Sequence, residues 1–299
     1  MSSTTAVIAR PSLSTTIRSY LTVTKPWIVL LLLVTTVPSM MLAADGWPPL
    51  GTVLATLLGG TLSAAGANAV NCWYDRDIDA RMLRTRHRPT VTGAVPASKV
   101  LALGVILGVS AFLWLLVTTT PLAAVLAAGG YLFYVFIYTV WLKRRTPQNI
   151  VIGGAAGAFP PLVGWAAVTG SLSWAAFVLF LVIFLWTPPH FWALALRLKD
   201  DYARAGIPML PVVAGERETR RQILVYALLT VLVSLVLPLV SEAGTAYVIA
   251  AMVAGAGLVW HAYRLWRAGE HVSPMSLYKY SLLYVALVFA GLGVDVALS

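Results

Sequence analysis

Apolar runs long enough to cross a bilayer recur through nearly the whole chain, parted by short polar breaks. About 20 mostly apolar residues span the hydrocarbon layer. Nine runs qualify: Trp27–Ala44, Leu50–Trp73, Val100–Thr118, Pro121–Leu142, Ile150–Val168, Trp174–Phe191, Ile223–Val240, Ala246–Leu265 and Met275–Leu298. The pattern predicts an all-α polytopic membrane protein, with about nine transmembrane helices around a central cavity. It reads as a single domain over residues 1–299, with residues 1–25 as a cytoplasmic N-terminal tail. The fifth run carries Gly153, Gly154, Gly157, Pro160 and Pro161. Small residues let helices approach closely in a bundle, and neighbours compensate for proline within a span.

The polar breaks are of two kinds. Lys and Arg lie in the N-terminal tail, or in or beside the breaks after the second, fourth, sixth and eighth runs. The alternate breaks, near Asp45, Thr119, Ser171 and Glu242, contain none. The basic side is therefore expected to be cytoplasmic and the C-terminus outside. Two basic-side breaks, residues 74–99 and 192–222, exceed what a connection needs. They lie four runs apart, which suggests two four-helix units plus a ninth helix, with both loops capping the cavity.

Composition agrees with this reading. The chain is 59% hydrophobic and 11% charged, with mean hydropathy +0.83, against about 25% charged residues in soluble domains. The net charge of +10 follows from topology, so a nucleic-acid partner is not expected. The single cysteine, Cys72, leaves no intramolecular disulfide. Arg10, Arg18 and Lys25 precede a run longer than the core of an export signal. The Ser/Thr-rich first 25 residues also allow an organellar targeting peptide as an alternative to a plain tail.

Candidate chemistry concentrates where the second run ends. Asn71, Asp75 and Asp79 recur every four residues and fall on one helix face. An amide and two carboxylates suit a hard divalent ion such as Mg²⁺, which often uses one or two carboxylates and completes its shell with substrate phosphates. Arg84 and Arg88 follow within the same loop, and arginine matches phosphate oxygens in bidentate fashion. Asp77 points away from this face. In the second long loop, Arg197, Lys199, Asp200 and Asp201 could complete a second metal or phosphate contact. His190, between Pro189 and Phe191 at the end of the sixth run, is a candidate for contact with a large planar ligand or its iron. The loop Lys143–Asn149 reads as topological, with Asn149 as its one candidate for facing the cavity.

The chain resembles the UbiA-type intramembrane prenyltransferases, in particular the branch that acts on heme. The resemblance covers nearly the whole chain. It rests on Leu21-Thr22-Val23-Thr24-Lys25-Pro26, Asn71-x3-Asp75-x3-Asp79, Arg84-Thr85-x2-Arg88-Pro89, Thr146-Pro147-Gln148-Asn149, Thr187-Pro188-Pro189-His190-Phe191-Trp192 and Asp201-Tyr202-x3-Gly206-Ile207-Pro208-Met209. The Asn71–Asp79 motif marks the superfamily, whereas the His190 and Asp201–Met209 segments are more specific to the heme branch. One departure stands out: Arg197 occupies the place of the first Asp in the superfamily's second Asp-x3-Asp motif.

The resemblance implies that Mg²⁺ sits on Asn71, Asp75 and Asp79, with Arg84, Arg88 and Lys199 assisting the departing diphosphate. It implies farnesyl diphosphate as donor, heme B as acceptor with His190 facing it, and heme O as product. The basic loops would receive the heme propionates. Heme A synthase or a terminal oxidase would be partners, in the cell membrane or, alternatively, the mitochondrial inner membrane. A UbiA-type prenyltransferase with another aromatic or tetrapyrrole acceptor is the alternative among enzymes, and two other classes compete with this reading. An ion-coupled carrier suits Gly/Pro-broken helices, but no acidic residue lies near the middle of a span. A structural assembly factor would leave the aligned Asn71, Asp75 and Asp79 unexplained.

Overall fold

A computed structural model describes residues 13–299. Eight helices have the length and apolar character to cross a membrane, and a bent pair at the start forms a ninth candidate. The first helix, α1 (Leu13–Thr24), meets α2 (Pro26–Ala44) at a bend of 55°. The spans that follow are α3 (Leu50–Tyr74), α4 (Ala97–Thr118), α5 (Pro121–Leu142), α6 (Asn149–Thr169), α7 (Trp174–Arg197), α8 (Gly215–Val240), α9 (Thr245–Ala268) and α10 (Pro274–Leu298). Their boundaries fall within a few residues of the apolar runs. Helices α7 and α8 extend further toward the basic loops, into Arg197 and Gly215.

Residues 13–24 differ from the expected irregular tail. Leu13, Ile17 and Leu21 recur every four residues and form one exposed stripe, while Val23 is buried against α3. That periodicity makes a helix of a segment whose composition is polar. Residues 1–12 of the 25 on which the targeting-peptide alternative rests lie outside the described residues.

Consecutive spans pack on one another in chain order, and α10 closes on α2. Helix α2 also packs on α6, and α7 on α10. Between apolar helices in lipid, close packing replaces the hydrophobic drive of a soluble core. The α3–α4 pair shows how sequence secures this. A Cβ at Gly66 would lie 2.7 Å from the Gly104 carbonyl oxygen, and one at Gly104 would lie 2.6 Å from Val70. Two glycines facing each other thus set the distance between the helix that carries Asn71 and its neighbour.

The second half of α5, Phe133–Leu142, is a ten-residue π-helix. Such runs carry i→i+5 bonds and are usually no more than a single turn. The long break after α3 folds into a short helix, Arg76–Asp79, then turns, then a second short helix, Pro89–Thr92. The break after α7 likewise holds Lys199–Arg204 and Leu210–Val213. These two loops meet. The Leu83 and Arg84 amides donate to Asp201 at 2.9 and 3.2 Å, and Ile78 and Met82 join the core that holds Tyr202, Ile207 and Met209.

Candidate functional site at the basic end of the bundle

Helix α3 ends at Tyr74, but its course continues with little interruption. The Asp75 amide donates to the Asn71 carbonyl at 2.9 Å, and the Asp79 amide donates to that of Asp75 at 2.8 Å. These i→i+4 bonds keep Asn71, Asp75 and Asp79 in one row. All three are buried, at 3%, 0% and 2% exposure. Burying carboxylates is costly unless they are paired and hydrogen-bonded, and here both are. Asn71 donates through Nδ2 to Asp75 Oδ2 at 2.7 Å and to Thr139 Oγ1 at 3.1 Å. Its Oδ1 accepts from Lys25 Nζ at 2.8 Å. Lys143 Nζ donates to Asp75 Oδ2, and Arg144 reaches Asp75 Oδ1 at 3.5 Å.

The turns after Asp79 return Arg88 to it. Thr85 Oγ1 donates to the Asp79 carbonyl at 3.0 Å, and the Arg88 amide donates to the Thr85 carbonyl at 2.9 Å. Arg88 Nη1 then lies 2.6 Å from Asp79 Oδ2. Asp77 points outward, as its place on the helix requires, and holds Arg144 by two bonds of 2.7 and 2.8 Å. That guanidinium holds the Asp77 carboxyl below its ordinary pKa.

The second loop takes a different role from the one expected of it. Both oxygens of Asp201 are engaged, by the Leu83 and Arg84 amides and by Arg204. Burial pushes the Asp201 pKa up, but those donors outweigh it and hold the carboxyl below its ordinary value. Asp200 is exposed, and Lys199 pairs with Glu216 at 3.3 Å. Among the described residues no three His, Cys, Asp or Glu side chains gather to hold a metal. In the structure Asp201, expected with Asp200 as a metal contact, braces the two loops through the Leu83 and Arg84 amides. Lys199 is likewise tied to α8 rather than to the Asn71 row. Arg84 is exposed, and its side chain lies beside Tyr202 rather than on the Asn71 row.

Sequence reasoning missed the partners supplied by α5 and by Lys25. Tyr134 donates to Asn68 at 3.4 Å, Thr139 accepts from Asn71, and Lys143 holds Asp75. Tyr134 and Thr139 are five residues apart, as are Tyr138 and Lys143. The wider turn of the π-helix carries these side chains along one side of α5. Gly153 makes room for Tyr138, whose ring would lie 2.3 Å from a Cβ there. The Lys143–Asn149 loop, expected to be only topological, thus supplies Lys143 and Arg144 to the acidic row. Asn149 is fully buried, with Nδ2 donating to the Thr146 carbonyl at 2.6 Å and Oδ1 without a partner.

His190 stands apart from this row, on α7 about two turns before Arg197. Its ring is sandwiched between Trp186 and Tyr278, with centroids at 4.4 and 4.6 Å. Its Nδ1 lies 2.7 Å from Ser281 Oγ, and that hydroxyl donates to the Tyr278 carbonyl at 2.7 Å. Ser281 has one hydroxyl hydrogen, already committed, so Nδ1 carries the proton and donates. Nε2 is then the nitrogen with the free lone pair.

The donor set fits Mg²⁺: two carboxylates and one carboxamide oxygen are hard ligands, with room in the shell for phosphate oxygens. A bundle of membrane-spanning helices with such a row and Lys25, Arg88, Lys143 and Arg144 around it defines a multi-pass membrane protein with a buried, cation-ringed polar site at one end. The chain belongs to the UbiA prenyltransferase family, whose pattern matches residues 32–287. It is 51% identical over 295 residues to a protoheme IX farnesyltransferase of Roseiflexus sp. (strain RS-1), covering 99% of this chain and 55% of that protein. The corresponding protein of Symbiobacterium thermophilum is 52% identical over 284 residues, covering 94% of each. The chain thus spans about half the length of some curated relatives and nearly all of others. Among solved structures, a digeranylgeranylglyceryl phosphate synthase superposes with TM-score 0.78 at 16% identity, covering 95% of this chain and 99% of that one. A UbiA homologue from Archaeoglobus fulgidus bound to DMAPP and Mg²⁺ gives TM-score 0.64 at 17% identity, covering 92% and 99%.

Proposed function

We propose that this chain transfers the farnesyl group of farnesyl diphosphate to a vinyl group of heme B, giving heme O and diphosphate. The observation that carries this reading is the buried row Asn71, Asp75 and Asp79, ringed by cations at one end of an apolar bundle. Relatives near 50% identity that carry the farnesyltransferase name point to the acceptor. In this reading Asn71, Asp75 and Asp79 hold Mg²⁺, and the ion supplies electrostatic stabilisation of the departing diphosphate.

The protein's own groups do the rest. Arg88 borders the row, and it and Arg84 of the same loop offer guanidinium donors to diphosphate oxygens as the bond from farnesyl C1 to oxygen breaks and its electron pair leaves. Tyr134 and Tyr138, with ring centroids 5.4 Å apart, present ring faces that stabilise an allylic cation. The vinyl π electrons form the new carbon–carbon bond, water adds to the resulting cation, and the proton it loses leaves with the diphosphate. Apolar helices keep water from the allylic cation until that bond has formed. His190, with Nε2 unprotonated, offers its lone pair to the heme. The basic loops then lie on the cytoplasmic side of the cell membrane, and the product passes to heme A synthase or a terminal oxidase.

The test is to incubate membranes containing the chain with farnesyl diphosphate, Mg²⁺ and heme B, and to separate the hemes by chromatography. Heme O should form with the wild type and be lost in Asp75→Ala and Asn71→Ala that still fold. Wild-type turnover in either variant refutes the role of the row. A prenylated product on a different acceptor, with heme untouched, refutes the acceptor. For His190→Ala, weakened heme binding is expected, and unchanged affinity removes His190 from the site.

A further inference from the structure

Each oxygen-bearing side chain of the proposed metal face already holds a cation of the protein itself. Lys25 Nζ is 2.8 Å from Asn71 Oδ1, Arg88 Nη1 is 2.6 Å from Asp79 Oδ2, and Lys143 Nζ lies on Asp75 Oδ2. Arg144 is balanced by its two bonds to Asp77, and the remaining three cations against two carboxylates leave one positive charge in excess, in a row that is almost wholly buried. A divalent ion entering alone would triple that excess and compete with ammonium groups for the same oxygens. Like charges so close in a poorly solvated site repel strongly. A fully ionised prenyl diphosphate carries about three negative charges, which would neutralise the excess and give the displaced cations new acceptors.

We propose that Lys25 and Lys143 are place-holding cations, seated on Asn71 and Asp75 in the resting site, which move onto diphosphate oxygens when metal and diphosphate enter together. Binding of the two is then interdependent, and neither ligand binds well alone. The inference rests on the reading of Asn71, Asp75 and Asp79 as the metal face.

The residue type and the surrounding chain both suit an exchange of this kind. An ammonium on a flexible four-carbon stem is a compact charge that changes partners without matching a planar fork. Lys25 sits at the α1–α2 bend with φ 53°, a left-handed conformation rare for a side-chain-bearing residue and disfavoured before Pro26. Its hold on Asn71 is one of the contacts that keep it there, and release lets the backbone relax. Lys143 lies where the π-helix ends, its amide donating to the Tyr138 carbonyl at 2.9 Å. Both lysines therefore stand at breaks in regular structure.

The experiment measures free Mn²⁺ by electron paramagnetic resonance while purified full-length protein is titrated, with and without farnesyl thiodiphosphate. In the wild type the analogue should tighten Mn²⁺ binding by about tenfold or more. In Lys25→Met and Lys143→Met, Mn²⁺ alone should bind more tightly than in the wild type, the analogue more weakly, and the coupling should shrink. The proposal is overturned if the analogue leaves wild-type Mn²⁺ affinity unchanged. It is equally overturned if either methionine variant binds Mn²⁺ alone no better than wild type. Should those variants not fold, Lys25→Arg and Lys143→Arg carry the test: a guanidinium held by more bonds should weaken binding of Mn²⁺ alone, and unchanged binding overturns the proposal. Asp75→Asn separates the underlying reading. Retention of analogue-dependent Mn²⁺ binding in that variant refutes the metal face itself, whatever the lysines do.

Discussion

Replacing Asp201 with alanine should loosen the junction of the two basic-side loops without touching the Asn71 row. The carboxylate is 5% exposed and accepts from the Leu83 and Arg84 amides. Hydrogen bonds to a charged group contribute roughly 1.5–3 kcal/mol each, so the two amide bonds together amount to roughly 3–6 kcal/mol of local stability. Arg204 adds little, about 1 kcal/mol at most, because its side chain is 49% exposed. Every 1.4 kcal/mol is about a factor of ten, so exchange of the Leu83 and Arg84 amides should quicken by about a hundredfold or more. Asp201→Asn keeps a neutral acceptor and should fall between. Hydrogen–deuterium exchange with peptide resolution over residues 80–90 reads the effect, and unchanged protection in Asp201→Ala refutes the brace. A metal-ligand role would instead leave exchange unchanged and weaken divalent-ion binding. The brace should also respond to acid. The Asp201 carboxyl is held below its ordinary pKa in the fold, so its stabilisation is complete above the ordinary carboxylate range. It is lost as pH falls through the lowered value, and faster exchange of these two amides, relative to neighbours, should appear only there.

At the opposite end of the bundle, Asp295 accepts from the amides of Gly244, Ala246 and Tyr247 at the start of α9. Asp295→Ala should cost about 0.5–2 kcal/mol, as for loss of a helix cap, and an unchanged thermal midpoint in detergent would refute that role. Gly66→Val should be more damaging, because its Cβ would sit 2.7 Å from the Gly104 carbonyl oxygen. Overpacking of this kind typically costs about 1–3 kcal/mol. Here it should also shift the Asn71 row, seen as weaker analogue-dependent Mn²⁺ binding.

The span pattern was legible because a bilayer leaves only a few ways to satisfy the backbone, so long apolar runs have to be helices. The row Asn71, Asp75, Asp79 was legible for a related reason: spacing of four survives even though α3 formally stops at Tyr74. Arg88 was legible as a cation of the same loop, although its pairing with Asp79 depends on turns that spacing does not reveal. What escaped detection depended on departures from regular geometry. Thr139 and Lys143 reach the row from an aromatic, apolar run that winds as a π-helix over residues 133–142, where neither carries a motif of its own. Lys25 reaches Asn71 through a left-handed residue at a bend. The bracing bonds of Asp201 were not legible, because an acid beside another acid carries no mark of whether its oxygens are engaged. The amides of Leu83 and Arg84, which occupy them, belong to a loop more than a hundred residues earlier.

The clasp of His190 between Trp186 and Tyr278, with Ser281 at its Nδ1, bears on how the molecule is assembled in the membrane. Chains enter the bilayer from the N-terminus onward, and every side chain that pairs with the Asn71 row lies between Lys25 and Arg144. That end can be complete while the last spans are still unmade. His190 is already present on α7, but Tyr278 and Ser281 arrive only with α10. The two sites thus mature at different times, and the ring that awaits the last helix is the one proposed to face heme. A chain halted before α10 would have a finished polar end and an unsupported imidazole, so the order of synthesis delays the acceptor side until the bundle has closed.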